Sequence, residues 1–390
     1  MTEPRYTPLR ERHEALGASF TDFGGWMMPV RYTSDLAEHQ AVRTGAGLFD
    51  ISHMAEFVVS GGPAAPFLDY ALAGRLSTMK VGKAKYSLLL DERGGIIDDL
   101  IVYRLGDDRF LIIANAGNHD VVAAALRERA GQYAEHLAET GPVAVPLSTA
   151  PGPQIASVTD ITDKFSLIAV QGPRAEEIVT TITGLEVTGV ALDELGYYAW
   201  SSAEFLGSPV LIARTGYTGE DGFELLVANE LAAQLWDAAL AAGEPFNLTP
   251  AGLAARDTLR LEAGMPLYGH ELSLETAPAQ VGLGRVVVAD KELFVGKDGL
   301  SARDLTDAPV LVGLVAEGRR AGRADYDVYA GEEKVGVITS GALSPTLGHP
   351  IAMALVSPSA SAVGTALELD VRGTRIPATV TALPFYRRNS

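Results

Sequence analysis

The stretch Gly94-Gly95-Ile96-Ile97-Asp98-Asp99-Leu100-Ile101-Val102-Tyr103 decides how this chain folds. A glycine pair makes a turn, and an apolar β-type run follows at once. Ala84 to Leu90 before the turn also reads as a strand, and Asp108 to Ala114 after it reads as another, entered through Gly106-Asp107. Strands joined by turns this short are antiparallel neighbours, not members of a repeating βαβ series. The run also holds two carboxylates, which are costly to bury without a partner. Adjacent strand residues point to opposite faces. Asp98 therefore goes with Ile96 and Leu100, and Asp99 with Ile97 and Ile101. Only one of the two can enter a given pocket, and periodicity does not choose which. The plain alternative is a solvated strand end held by a turn hydrogen bond.

Working outward, Ala55 to Ser60 is strand-like, Pro63 to Leu72 helical, and Asn118 to Ala130 helical. The order strand, helix, three strands, helix makes the fold class α+β. Upstream, Leu9 to Leu16 is a short helical pattern, and Asp35 to Arg43 a helix with Ser34 as its N-cap. Downstream, residues 141–154 are rich in Pro, Gly, Ser and Ala and read as a crossing. Ser166 to Val170 reads as a strand, two strands flank Arg214 to Gly222, and Asn229 to Ala242 is a helix. Leu274 to Gly284 has little periodicity and reads as a linker. From Pro309 short apolar strands alternate with glycine turns, the pattern of a small all-β domain.

The chain has 390 residues, which at roughly 100–200 residues per domain means two or three domains. Its 31 Lys+Arg against 49 Asp+Glu leave a net charge of −18, poor for general binding to nucleic acid or an anionic membrane. No cysteine is present, which excludes disulfides, thiolate metal ligation and thiol catalysis. The seven histidines, at 13, 39, 53, 119, 136, 270 and 349, form no pair at metal-ligand spacing, so no metal is expected. No signal core and no apolar run of about 20 residues is present, so a cytoplasmic, soluble protein is expected. No G-x-G-x-x-G or Walker-type loop appears.

Two further segments carry candidate chemistry. In Arg214-Thr-Gly-Tyr-Thr-Gly-Glu-Asp-Gly-Phe-Glu-Leu225, the three glycines permit tight turns and close approach by a ligand. Phe223 and Leu225 face one way and Glu224 the other, where a carboxylate suits a flat amidine-like heterocycle. In Leu248-Thr-Pro-Ala-Gly-Leu-Ala-Ala-Arg-Asp-Thr-Leu-Arg-Leu-Glu262, Thr249 suits an N-cap and Pro250 the first helical position. Gly264 suits the left-handed C-terminal position. Arg256 and Arg260 fall beside Leu253 and Leu259 and need a carboxylate or a ligand as partner. An internal salt bridge and a ligand contact both satisfy that need. His53-Met54 reads more readily as a satisfied core pair than as a cleft wall.

Together these segments resemble the glycine cleavage system T-protein family, the aminomethyltransferases. The matching blocks are Asp22-Phe-Gly-Gly-Trp-Met-Met-Pro29, Ala41-Val-Arg-Thr-Gly-Ala-Gly-Leu-Phe-Asp-Ile-Ser-His-Met54, the Asp-Asp block, Gln171-Gly-Pro173, Arg214 to Glu224, Ala255 to Ala263, Thr339-Ser-Gly-Ala-Leu-Ser-Pro-Thr-Leu-Gly348 and Pro384-Phe-Tyr-Arg387. The resemblance implies a three-domain, cloverleaf-like folate-binding fold with antiparallel sheets. It assigns 1–50 and 140–275 to a discontinuous folate-binding domain, 51–139 to a ferredoxin-like α+β domain, and 285–390 to a C-terminal β-barrel. It implies transfer of a one-carbon unit from the aminomethylated lipoyl arm of H-protein to tetrahydrofolate, with release of ammonia. By the same matching Asp99 is the catalytic acid. Met54, Tyr86, Asn115, Tyr217, Glu224 and Arg256 would contact folate, and Tyr386 and Arg387 would close the pocket. His270 departs from the amide common in the family. Relatives on this fold include demethylases, oxidases with an added flavin domain, and an iron–sulfur assembly factor with a Cys signature; this chain lacks both the flavin domain and cysteine.

Overall fold

The structure, a computed structural model, describes residues 4–140 and 155–388. The stretch 141–154, expected to be a loop or crossing, lies outside those residues. Among them the fold is α+β, with two large open sheets, a two-stranded hairpin and a closed barrel.

The Asp-Asp strand, Ile96–Arg104, pairs antiparallel with Ala84–Leu90 on one side and Arg109–Ala114 on the other. Gly94 takes a positive φ of 80°, as the turn requires. Gly95 is required for another reason: a Cβ there would lie 1.9 Å from the Leu274 carbonyl oxygen. Ala55–Ser60 and Ser157–Asp160 complete a five-stranded antiparallel sheet. The last strand differs from the expected domain division, because residues 157–160 hydrogen-bond to this sheet rather than to the discontinuous unit. Helices Ala64–Ala71 and His119–Thr140 cover one face, with Phe57, Phe67, Leu68, Phe110 and Leu126 wholly buried between.

The second sheet has seven strands in the order Leu185–Val187, Trp200–Phe205, Ser208–Ala213, Gly222–Ala228, Phe165–Gln171, Ala46–Asp50 and Leu248–Pro250. Its only parallel pair joins the last two. The 248–250 strand replaces the helix start expected at Thr249-Pro250. Leu248 is buried against Ala46, and the helix instead begins at Leu253 after Gly252. Gly252 donates its N–H to the buried Glu38 Oε2 at 2.9 Å, and a Cβ there would sit 2.4 Å from Val30 backbone. Tertiary contact overrides the local capping signal. At the other helix, Ser34 caps Asp35–Thr44 as its sequence indicates, accepting from Ala37 N at 3.2 Å.

Residues 310–381 form a closed six-stranded barrel around Leu314, Val328, Ile338, Ala354 and Leu369. It docks on the helix Leu253–Glu262. Burial pushes the Glu262 carboxyl up. Bonds from His39, from Ser344 Oγ at 2.5 Å and from Arg43 at 2.8 Å outweigh that and hold it down at about 2. Thr346 adds its N–H at 3.0 Å. The two open sheets meet through a further apolar layer that includes Phe49, Ile51, Tyr103, Ile113 and Leu259. No described helix is long and apolar enough to cross a membrane.

Candidate active site

The Asp-Asp strand brings its two acids to different places. Asp98 is wholly buried behind the sheet; Asp99 is half-buried and lines a cavity of about 310 Å³ between the two sheets. The same wall carries Tyr86 from the preceding strand and Asn115 from the turn after Arg109–Ala114. Tyr86 donates its hydroxyl to Asp99 Oδ2 at 3.0 Å, and Asn115 Nδ2 donates to Asp99 Oδ1 at 2.9 Å. Burial pushes the Asp99 carboxyl up to about 6, and those two hydrogen bonds keep it from rising further.

The seven-stranded sheet supplies Glu224, from a strand whose alternation was legible. Phe223 and Leu225 go into the core, and Glu224 faces the cavity. Its Oε2 accepts from Thr215 Oγ1 at 2.5 Å and Tyr103 OH at 3.4 Å. Its Oε1 accepts nothing from the described residues. Burial raises its pKa, while Thr215 and the charge of Arg256 act against the rise. Among the nearby glycines, Gly219 takes the tight turn expected, with a φ of 80°, and Gly216 lines the cavity, but two of them have a further use. A Cβ on Gly216 would meet the Gln171 side chain at 1.9 Å, and one on Gly222 at 2.3 Å. Gln171 is buried there, donating to Thr215 O at 3.0 Å and accepting from Thr218 Oγ1 at 2.9 Å. The loop is thus wedged by a side chain, which fixes Tyr217. Tyr217 OH donates to Pro266 O at 2.5 Å.

The two arginines of the helix Leu253–Glu262 divide between the two expectations. Arg260 is an internal ion pair: Nη1 lies 3.1 Å from Glu271 and Nη2 2.8 Å from Asp257, with Ser340 Oγ accepting at 2.7 Å. Arg256 lines the cavity and has no ion pair or side-chain hydrogen bond among the described residues. Its guanidinium lies 5.0 Å from the Tyr217 ring centroid. An unpaired guanidinium beside a vacant carboxylate oxygen is a ready recognition pair for a polar ligand.

Met54 also lines the cavity, as do Phe23, Tyr198 and Tyr268, which the sequence did not single out. His53 is not the satisfied core residue expected. It is 2% exposed, lines the cavity, and its Nδ1 has no hydrogen-bond partner among the described residues. Burial, with the charge of Arg256, pushes the imidazole down to about 4, so it is neutral. Tyr386 and Arg387 do not line the cavity. The Tyr386 ring packs under Arg43 at 4.0 Å, its N–H donates to Glu262 O at 2.8 Å, and Arg387 is exposed with no ion pair or side-chain hydrogen bond among the described residues. The tail is committed to the helix end and the barrel instead. His270 likewise lies outside the cavity, with Nδ1 2.8 Å from Thr339 O.

The chain is similar to known proteins along its whole length. Residues 9–291 match the GCVT N-terminal domain, and residues 310–387 the Glycine cleavage T-protein C-terminal barrel domain. A protein of Cutibacterium acnes named Aminomethyltransferase is 52% identical over the full length of both chains. One of the same name from Saccharopolyspora erythraea is 50% identical, again over both full lengths. The crystal structure of glycine cleavage system aminomethyltransferase T from Bartonella henselae superposes with a TM-score of 0.85 at 35% identity, covering 98% of each chain. With both domains matched and identity this high from end to end, the chain belongs to the glycine cleavage T-protein family of aminomethyltransferases.

Proposed function

We propose that this chain takes the aminomethyl carbon from the dihydrolipoyl arm of lipoylated H-protein and passes it to tetrahydrofolate, releasing ammonia and the reduced arm. The observation that carries the reading is Asp99, a carboxylate held by Tyr86 and Asn115 on the wall of a cavity that also presents Glu224 and an unpaired Arg256.

The donor set suits a reduced folate. A volume of about 310 Å³ falls within the usual range for small-molecule sites. Tyr86, Tyr198, Tyr217 and Phe23 offer flat apolar faces for a fused ring. The free Oε1 of Glu224 suits the N–H edge of such a ring, and Arg256 suits a carbonyl or carboxylate on the same molecule. When bound, tetrahydrofolate supplies the nucleophilic amine that takes up the carbon. The protein's part is positional and electrostatic. Asp99, ionised above about pH 6, accepts a proton from an amine at its Oδ atoms and stabilises positive charge that develops there. Tyr86 and Asn115 hold that carboxylate still. Met54 and Tyr217 confine the reactants and exclude water, and most of the rate gain comes from that placement. No protein nucleophile is needed, in keeping with a chain that has no cysteine. On this reading the reaction takes place in the cytoplasm.

Two measurements test the reading together. Tetrahydrofolate titrated into the protein should bind in a calorimeter, and aminomethylated H-protein with tetrahydrofolate should release ammonia at a rate proportional to enzyme. Binding without ammonia release would make the chain a non-catalytic folate-binding protein. Absence of both would reject the proposal.

A further inference from the structure

Asp98 lies behind the cavity wall, wholly buried, and does not touch the cavity. Its surroundings are nevertheless built to hold an anion. Asn115 N–H donates to its Oδ2 at 3.0 Å. Its Oδ1 accepts from Asn115 Nδ2 at 2.8 Å and from Asn118 Nδ2 at 2.7 Å. The Asn118 amide is oriented in turn by Ile97 O at 3.2 Å. The Asn115 Nδ2 group also donates to Asp99 Oδ1 at 2.9 Å, so one amide nitrogen spans both acids. Its partners, the two carboxylates and the Asp99 carbonyl oxygen at 3.2 Å, are all acceptors, so the amide can stand only one way round, with its NH2 toward the acids. Its Oδ1 is then left without a partner among the described residues, on a side chain that lines the cavity.

We propose that Asp98 is a positioning residue. Ionised, it fixes the Asn115 amide so that one N–H steadies the Asp99 carboxylate and the amide oxygen faces the ligand. An asparagine at 98 would set an NH2 group against the donors of Asn115 or Asn118, and the amide of Asn115 would be left with only the Asp99 oxygens to orient it. The inference rests on the reading of the cavity as the tetrahydrofolate site.

The groups facing the two acids make the consequence measurable. Tyr86 faces Asp99 from the neighbouring strand, Tyr198 and Tyr217 face it from the second sheet and its loop, and Tyr268 faces both acids. No cation among the described residues pairs with either. Burial, then the charge of Asp99, pushes Asp98 up to about 7, against the bonds from Asn118 and Asn115. The working state, with both acids ionised, therefore requires the loss of two protons from a coupled pair.

The test is the pH dependence of kcat for ammonia release, with tetrahydrofolate affinity measured alongside. In the wild type, log kcat should fall on the acid side with a slope of two. Asp98→Asn should fall with a slope of one, lower the plateau by about tenfold or more, and raise the tetrahydrofolate Kd by no more than about tenfold, the loss of one neutral hydrogen bond. Asn118→Ala removes a bond that favours the Asp98 anion, so its acid limb should move to higher pH. Wild-type kcat and a slope of two in Asp98→Asn would overturn the proposal. If that variant does not fold, an unmoved limb in Asn118→Ala overturns it. Failure of the wild type to bind tetrahydrofolate would instead defeat the functional reading, which separates the two failures.

Discussion

Replacing Arg256 by methionine should make the free protein no less stable and its ligand binding much weaker. The guanidinium sits in the cavity with no carboxylate within ion-pair distance, so the folded protein pays its desolvation without a salt bridge in return. It is favoured by the charge of Glu224, beyond ion-pair distance among the described residues, and by the Tyr217 ring at 5.0 Å, the latter worth roughly 0.5–2 kcal/mol. Methionine keeps the unbranched stem against Tyr217 and removes the charge. Loss of the ring contact and relief of desolvation have opposite signs, and we expect a net change between zero and about 1 kcal/mol in favour of the variant. For a folding unit of 150–250 residues that is a rise in Tm of about 0–4 °C. Binding goes the other way. A hydrogen bond to a charged group is worth about 1.5–3 kcal/mol, which is a factor of roughly 10–150 in Kd. Thermal unfolding with and without tetrahydrofolate reads both signs in one experiment, and calorimetry gives the Kd. A fall in Tm of several degrees with unchanged affinity would refute the reasoning, because it would mean that Arg256 serves the fold as Arg260 does.

Three other outcomes follow from the same contacts. Glu224→Ala should weaken tetrahydrofolate binding by about tenfold or more in the same calorimetric titration, since the free Oε1 is lost; equal affinity would remove Glu224 from the recognition edge. Glu56 is fully buried with neither oxygen hydrogen-bonded among the described residues, and burial raises its pKa, so it costs stability as pH rises above the ordinary glutamate value. Glu56→Gln should raise the denaturation midpoint at neutral pH by an amount equivalent to about 1–3 kcal/mol, and the gain should vanish near pH 4. Glu262, held down at about 2, contributes stability that is present above pH 4.5 and lost as pH falls toward 2. That is about 3 kcal/mol, and Glu262→Gln should flatten acid unfolding over that window by a similar amount.

The hairpin, the helix cap at Ser34 and the alternation that turns Glu224 toward the cavity were legible, because each depends on a few neighbouring residues. The parallel strand at Leu248–Pro250 was not, since burial of Leu248 against Ala46 overrode a capping signal that was locally sound. Gly216 lines the cavity as its sequence suggested, but that it and Gly222 also make room for Gln171, more than forty positions away along the chain, was not legible. The two helix arginines could not be told apart by spacing; only the distant Glu271 and Ser340 separate Arg260 from Arg256. His53 was misread because nothing in its sequence neighbourhood says that no partner reaches its Nδ1. The choice between Asp98 and Asp99 was likewise undetermined by period, and is decided in the fold by the two asparagines that surround one of them.

The account turns on Asp99 as the acid that serves the reacting amine, and Asp99→Asn measures that directly. Ammonia release from aminomethylated H-protein should fall by about a hundredfold or more, while tetrahydrofolate Kd stays within a few-fold of wild type. Turnover at the wild-type rate in that variant would contradict the account.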